Sequence, residues 1–529
     1  MKKRLIFLYA CFVLVLGALM VRLTFIQLID SEQFASITAR QQRITLDGAD
    51  NRGTIYDRNM NPLTGAENDY IYIIEKGKIT TNTVRILETI GAKRVSNNSK
   101  RYYVYRSKTF NKDAAYILKR DYNAFMIKEA RRYSDVQPAV HFIGYINETD
   151  GNGACGLEKD FNDILSRKQK VVYASADGKR MIIPGLGIYS SENDSDCSIV
   201  TTLDIKIQKK AEEILNESGY SGSLIVTDAS TGEVLASASS PSFSPYNIKE
   251  YLDSSNREFI NKATQSQYPP GSIFKLIVAA AALENGVVTT DSTFTCKGYE
   301  EINGIRIKCS KEEGHGTITF REAFAKSCNS AFIQVGILTG GQEILDMAEA
   351  FGIGQKSIPN LSGEKNGLLP DMKDILGAGI GNLSIGQGKL LVTPMQATRV
   401  TSIIASQGID RGLSLVKYTT SNEKVNKMDA YEPVRVISAN TANIIKDLMV
   451  DTVTFGTANN LTTDLGIKIA GKTGSAQSSY NGEEVVHGWF TGFMPADNPK
   501  YVITVFVESG GSGRNSAVPL FEQMALFLN

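Results

Sequence analysis

Three cations and an unbroken apolar run open the chain and constrain everything after them. Lys2, Lys3 and Arg4 precede residues 5–21, LIFLYACFVLVLGALMV, which hold no charge before Arg22. A basic start ahead of an apolar run is the pattern of a secretory signal or of one spanning helix with a cytoplasmic N-terminus. The run falls a little short of the ~20 residues a span needs. Arg22 extends it by snorkelling its charged head outward, which admits Phe25, Ile26 and Leu28. No A-x-A-like cleavage site follows, so the expectation is an uncleaved, single-pass anchor over residues 1–30. Everything beyond it then lies on the outer side of a cell membrane.

A chain of 529 residues is too long for one ordinary core and predicts at least two domains. Basic and acidic residues number 57 and 56. A balance that close implies no polyanion-binding surface, so nucleic acid is not expected as a partner. Six cysteines are too few for a disulfide scaffold of this size. Past the anchor, residues 31–42 have helical spacing, and residues 51–59 read as a turn, a short strand and a turn. Strands are expected over 70–74 and 102–105, with a charged helical segment over 114–132. None of the acids and bases in this stretch clusters as a catalytic group would.

A second region begins near Thr201. Residues 204–217 read as an amphipathic helix. Residues 223–228 and 233–238 flank Ala229-Ser230-Thr231-Gly232, a strong hairpin signal. Further strands are expected over 467–476, 488–493 and 501–508. Helices fall between the two strand sets, over 274–283, 320–338 and 342–351, and a last one over 519–528. Strands at both ends with helices between predict an α+β domain whose central antiparallel sheet is assembled from the two ends of the region and covered by helices.

Within that domain Tyr268-Pro269-Pro270-Gly271-Ser272-Ile273-Phe274-Lys275 opens a helix. A serine at i and a lysine at i+3 share a helix face, the separation an amine needs to take a hydroxyl proton. Burial would make that amine a base near neutral pH, and the helix N-terminus favours oxyanion character at the serine. Alone the pattern is weak, since an N-cap serine followed by a solvated lysine looks the same. Two further elements change its weight. Ser327-Cys328-Asn329 sets a hydroxyl and an amide two residues apart near the start of a helical stretch, where a simple cap would explain the serine alone. Lys472-Thr473-Gly474-Ser475 continues an alternating strand, where lysine and threonine can hold a carboxylate and glycine permits close approach of substrate. An ordinary strand ending in a glycine turn is the bland reading of that segment.

S-x-x-K, S-x-N and K-T-G in this order resemble the active-site set of penicillin-binding proteins and serine β-lactamases. Over nearly its whole length the chain resembles a class B, monofunctional penicillin-binding protein. Arg52-Gly53-Thr54-Ile55-Tyr56-Asp57-Arg58 looks like the start of that class's pedestal domain, and Gly156, Glu158 and Phe161 like a motif later in it. Gly386-Gln387-Gly388, Thr393-Pro394-Met395-Gln396 and His487-Gly488-Trp489 are similar to segments of its transpeptidase domain. The resemblance implies a pedestal over residues 31–200 and a penicillin-binding transpeptidase domain over 201–529. It implies a peptidoglycan D,D-transpeptidase, inhibited by β-lactams, that joins stem peptides through a serine acyl-enzyme. Ser272 would be the nucleophile and Lys275 the base. Ser327 and Asn329 would relay a proton and orient the donor, Lys472 and Thr473 would take its carboxylate, and Gly474 and Ser475 would complete the substrate strand. No cofactor is needed for that chemistry, and a polytopic glycan polymerase of the same membrane is the expected partner. A β-lactamase would be much shorter, and a non-catalytic wall-synthesis scaffold would carry degenerate motifs.

Cys296, Cys309 and His315 lie between the first two motifs, in Cys-x12-Cys-x5-His order. Two thiolates and an imidazole suit zinc, with Cys328 or a carboxylate as a fourth ligand. A Cys296–Cys309 disulfide bracing a hairpin, or unpaired cysteines, are the other readings. This cysteine pattern resembles sporulation-type members of the class.

Overall fold

In a computed structural model, the structure describes residues 2–29, 43–46, 52–95, 101–147, 149–166, 170–175, 188–192, 197–421, 424–428, 431–461, 466–480 and 483–529. The expected helix over 31–42 lies outside these residues. Helix α1 (Lys2–Thr24) continues as a π-helical turn, Phe25–Ile29. From Lys2 to Gln27 the helix is long and apolar enough to cross a membrane, and none of it is buried within the protein.

Two compact units follow from how the chain packs. One comprises residues 1–52, 67–131 and 168–195; the other comprises 53–66, 132–167 and 196–529. The first contains a four-stranded antiparallel sheet in the order Lys93–Val95, Tyr102–Ser107, Glu67–Glu75, Phe125–Arg131. The expected helix over 114–132 is in fact a helix, Lys112–Tyr122, and then the strand Phe125–Arg131. Asn123 ends the helix in the left-handed region (φ 49°), a conformation asparagine tolerates better than most residues. Beyond it, side chains alternate between exposed and half-buried, the period of a strand.

The second unit is built on a five-stranded antiparallel sheet. Its strands are β1 (Gly222–Asp228), β2 (Val234–Ser240), β3 (Ala470–Tyr480), β4 (Glu483–Met494) and β5 (Tyr501–Val507), in the order β2-β1-β5-β4-β3. The expected hairpin and the return of the late strands beside it are both present. The helices used below are α2 (Ile205–Glu217), α3 (Lys275–Glu284), α4 (Asn329–Thr339), α5 (Pro394–Ala405), α6 (Ala439–Thr454) and α7 (Gly513–Leu528).

Strand alternation separates two cores. Phe490, Met494, Ile503 and Val505 face α2 and α7, while Trp489, Phe493, Val502 and Phe506 face the cluster built on α3, α4, α5 and α6. Helix α3 lies at the centre of that second cluster. Its sequence KLIVAAAALE is apolar all round, and residues Lys275 through Ala282 are buried, as expected of a helix surrounded by others. Four successive alanines, 279–282, let those neighbours pack close. The last helix starts earlier than residue 519, at Gly513, and carries Pro519 inside it.

A third cluster joins Ile55, Phe142, Leu157 and Leu165 to Ile199, Leu413 and Leu415. There Glu158, fully buried, receives Arg132 Nε at 2.7 Å and Tyr133 Oη at 3.1 Å, while Arg132 Nη1 donates to Gly53 O at 2.6 Å. This network ties the backbone of Gly53 to the buried Glu158 through Arg132.

Candidate active site

Residues 269–275 turn sharply before they become helical. Pro269 and Pro270 block regular structure, and Gly271 takes φ +55°, where a side chain is strained. A Cβ on Gly271 would also lie 2.6 Å from the carbonyl oxygen of Ser475. Ser272 therefore sits in a 3-10 turn, Gly271–Phe274, just ahead of α3, not within the α-helix itself. Gly271 N donates to Gly386 O at 2.9 Å, so the G-Q-G segment holds this turn from below. Tyr268 braces it further: its N and O pair with Val392, and its ring lies 4.1 Å from that of Phe506.

The expected single helix over 320–338 is broken. It forms a short helix, Phe320–Ala325, and then α4 from Asn329. Ser327 stands in the break at φ +54°. Such strain in a non-glycine residue is held only where surrounding contacts demand it. Here a left-handed helix stop sets it, with Ser327 N donating to Phe324 O at 3.1 Å and Cys328 N to Ala323 O at 2.8 Å, and both lysines hold the serine. Lys275 Nζ donates to Ser327 O at 2.8 Å, to Asn329 Oδ1 at 2.8 Å and to Ser327 Oγ at 3.3 Å. Lys472 Nζ donates to Ser327 Oγ at 3.0 Å and to Thr473 O at 3.2 Å. With both lone pairs of its hydroxyl taken by ammonium groups, Ser327 has its own proton left to donate toward the open side.

Both lysines are fully buried, at 0% exposure. Burial pulls Lys275 down to about 8 from its ordinary 10.5, opposed by the sulfurs of Cys328 and Cys309. Lys472 is held well below its ordinary value by burial and by the charge of Lys275. Phe332 and Phe324 present their ring faces to the two ammonium groups at 5.3 and 5.6 Å. Ser272 is half-buried, and its hydroxyl, with no hydrogen-bond partner among the described residues, is free to meet a ligand.

A cleft of about 860 Å³ opens above these groups. Ser272, Ser327, Asn329, Thr473 and Ser475 line it, and Lys275 and Lys472 lie beneath. Strand β3 is the edge of its sheet, and Thr473, Ser475 and Gln477, alternate residues along it, face the cleft. An edge strand offers unpaired backbone groups to an extended peptide. Gly474 faces away, toward Ile273 and Trp489, each about 3.0 Å from where its Cβ would stand. The structure thus gathers Ser272, Lys275, Ser327, Asn329, Lys472, Thr473 and Ser475 at one place, with Gly474 as the close contact behind them.

The sequence reading missed Thr457, whose hydroxyl bonds that of Thr473, and Arg514, whose Nη1 donates to Thr457 O at 3.0 Å. It also missed Lys308. No local pattern marks any of the three; they reach the cleft only through the tertiary fold.

Cys296, Cys309, His315 and Cys328 converge beside Ser327, with ligand atoms all within 4.8 Å of one another. Cys309 Sγ is 3.6 Å from His315 Nδ1 and 3.9 Å from Cys328 Sγ. All three cysteines are buried and carry free thiols. Cys328 also caps α4, accepting Ala331 N at 3.4 Å. The S–H of Cys328 holds Cys309 well below the usual thiol range, while the same contact and burial push Cys328 up.

Residues 222–525 match the family described as the penicillin binding protein transpeptidase domain. Penicillin-binding protein PbpB of Mycolicibacterium smegmatis is 29% identical over 426 residues, which cover 76% of this chain but 65% of that protein, just under two thirds of its length. Stage V sporulation protein D of Bacillus subtilis is 28% identical over 545 residues, covering 96% of this chain and 82% of that one. A chain from a peptidoglycan synthase complex, described as coordinating polymerization and crosslinking, superposes with a TM-score of 0.74 at 25% identity, covering 98% of this chain and 97% of its own.

Proposed function

The chain belongs to the penicillin-binding protein transpeptidase family, class B, and on that premise we propose that it crosslinks peptidoglycan stem peptides by D,D-transpeptidation. The observation that carries the proposal is the Lys275–Ser327–Lys472 bridge lying beneath Ser272 in a cleft bounded by an edge strand.

Ser272 attacks the carbonyl between the two terminal D-alanines of a donor stem. Lys275, in its neutral form, takes the hydroxyl proton as the C–O bond forms. Losing a proton costs Lys275 one of its three donated bonds and leaves a lone pair in the same buried place. Backbone N–H groups of Ser272 and Ser475 are assigned to the developing oxyanion. As the tetrahedral adduct collapses, the C–N bond breaks. The leaving amine of D-alanine takes a proton through Ser327, whose hydroxyl links Lys275 and Lys472 and so can pass one on. Asn329 orients the donor amide. Thr473, with Lys472 behind it, receives the terminal carboxylate, and Thr457 fixes the Thr473 hydroxyl. An amine from a neighbouring stem then attacks the acyl-enzyme, and the crosslink forms as Ser272 regains its proton. A β-lactam enters by the same first step and stays as the acyl-enzyme.

The apolar α1 supports anchorage in a membrane with the cleft outside, serving wall synthesis in division, elongation or sporulation. A polytopic glycan polymerase in that membrane is the proposed partner; the likeness to a chain of a synthase complex supports this. In domain terms we assign residues 1–30 to the anchor, 31–200 to the pedestal and 201–529 to the transpeptidase.

Cys296, Cys309, His315 and Cys328 fit a structural zinc. Tetrahedral zinc sets two sulfur ligands about 3.8 Å apart and a sulfur and an imidazole nitrogen about 3.6 Å apart, close to the 3.9 Å between Cys309 and Cys328 and the 3.6 Å between Cys309 and His315. Four protein ligands close such a site, so its role is to hold structure. Ligation would tie Cys309, at the end of one hairpin strand, to Cys328, which stands between Ser327 and Asn329.

Full-length protein in detergent, given uncrosslinked glycan polymer, tests the activity. Dimeric stem peptides should appear with the native chain and not with Ser272→Ala. Their absence with native protein that is acylated by penicillin would sink the transferase reading.

A further inference from the structure

The chain is nearly neutral, at +1, yet its cleft is not. Arg306, Lys308, Lys326 and Arg514 line it, and among the described residues no aspartate or glutamate does. Three of these cations are already engaged: Arg306 with Glu301 at 3.7 Å and the Tyr299 ring at 4.0 Å, Lys326 with Glu322 at 3.3 Å, and Arg514 with Thr457 O at 3.0 Å. The ammonium of Lys308 has no hydrogen-bond or ion-pair partner among the described residues.

Its backbone, by contrast, is held firmly. Lys308 pairs with Tyr299 across the hairpin formed by Tyr299–Ile302 and Ile305–Lys308. Its carbonyl accepts Asn329 Nδ2 at 3.2 Å, and the next residue, Cys309, donates to Gly298 O at 2.8 Å. Ile307 packs toward Gly381, with Cδ1 2.6 Å from where a Cβ on that glycine would stand. Strand alternation puts Lys308 and Arg306 on the opposite face of the strand from Ile307, and residues 305–308 all border the cleft. The result is an exposed cation, unpaired among the described residues, on a backbone held beside Asn329, with a second cation two residues behind it.

We propose that Lys308, backed by Arg306, is a second carboxylate subsite. It selects donor stems whose residue before the terminal D-alanine pair is a diamino-dicarboxylic acid with a free side-chain carboxylate, over stems in which that carboxylate is amidated or absent. The inference rests on the transpeptidase reading. That reading puts the terminal carboxylate at Thr473, near Thr457 and Arg514, and runs the stem along Ser475 and Gln477. The residue before the pair then lies about 7–10 Å from the terminal carboxylate, and the wall facing β3 is Asn329 with the hairpin. A charge-assisted bond there is worth about tenfold in rate.

The test uses full-length protein and two penicillins that differ by one carboxylate on the acylamino side chain, the part standing in for that stem residue. Benzylpenicillin lacks it and carbenicillin has it. The readout is the ratio of their acylation rate constants. A ratio about tenfold more favourable to carbenicillin in native protein than in Lys308→Ala, retained in Lys308→Arg and inverted in Lys308→Glu, supports the subsite. Full labelling by benzylpenicillin at long times shows that each variant is folded. Glycan polymers with free and amidated stems should follow the same order. A ratio unchanged by Lys308→Ala overturns the proposal. Failure of benzylpenicillin to acylate native protein overturns the transpeptidase reading itself, and this inference with it.

Discussion

If neutral Lys275 is the base, acylation must follow its titration. At pH 7 an amine with the ordinary lysine value of 10.5 is neutral about three times in ten thousand, whereas one at about 8 is neutral about one time in ten. Burial therefore raises the reactive fraction roughly 300-fold at pH 7. The groups facing this amine are Lys472 from β3, Ser327, Cys328 and Asn329 from the break before α4, Cys309 from the hairpin, and the Phe332 ring. The rate constant for acylation of Ser272 by a fluorescent penicillin, measured from pH 6 to 9.5 at constant ionic strength, should climb about tenfold between pH 6 and 7. It should be half-maximal near pH 8 and level above 9, a total rise of about 90-fold. Stability should follow the same group with a definite sign. A lysine lowered on folding binds its proton more weakly in the native state, so its burial penalty is present below pH 8 and is relieved as pH rises toward 10.5. The size is about 3 kcal/mol, and Lys275→Met should remove that part of the pH dependence. A flat acylation profile between pH 6 and 9, or one that falls with pH, would refute the assignment of the base.

Other consequences are equally direct. Gly271→Ala forces a strained φ and drives a Cβ onto the Ser475 carbonyl; it should cost about 1–3 kcal/mol in a denaturant melt and slow acylation by more than about tenfold, because Ser272 must move. Glu158→Ala leaves Arg132 buried without its carboxylate; stability should drop by about 3–5 kcal/mol, while the pH profile of whatever folded protein remains keeps its midpoint. Protein purified without chelator should hold one zinc per chain, and Cys309→Ser or Cys328→Ser should lose it. Stripping the metal should lower the melting temperature and loosen the Ser327 turn, read as slower acylation; native protein without zinc, or unaffected by chelation, would count against the metal.

What the sequence revealed, and what it hid, divides along the range of the interactions. Ser272 and Lys275, Ser327 and Asn329, and Lys472 with Thr473 were legible because each pair is local, and the order of three such pairs carries meaning that one pair does not. The hairpin of β1 and β2 was legible from its turn residues. Ser327 is visible in the sequence, but its conformation is not. The run from Phe320 to Leu338 is apolar enough to read as one helix, yet it stops at Ser327 with φ +54°, where Ser327 N donates to Phe324 O and Cys328 N to Ala323 O, and the two buried ammonium groups hold the serine hydroxyl. The stretch 114–132 was misread because its charges suit a helix surface, while the left-handed Asn123 that ends the helix leaves little trace in composition. Lys308, Thr457 and Arg514 lie far from their partners in sequence, and nothing near them marks the cleft they share. The cysteines were visible as a composition, but their convergence on Cys328, and so on the serine beside it, is a property of the fold.

The central claim is that Ser272 becomes the acyl-enzyme. Intact-mass measurement of full-length protein incubated with benzylpenicillin, followed by peptide mapping, tests it most directly. The account predicts one penicilloyl adduct per chain, located on Ser272 and absent from Ser272→Ala, whose melting temperature is close to that of the native protein. An adduct on another residue, or undiminished labelling of Ser272→Ala, would contradict it.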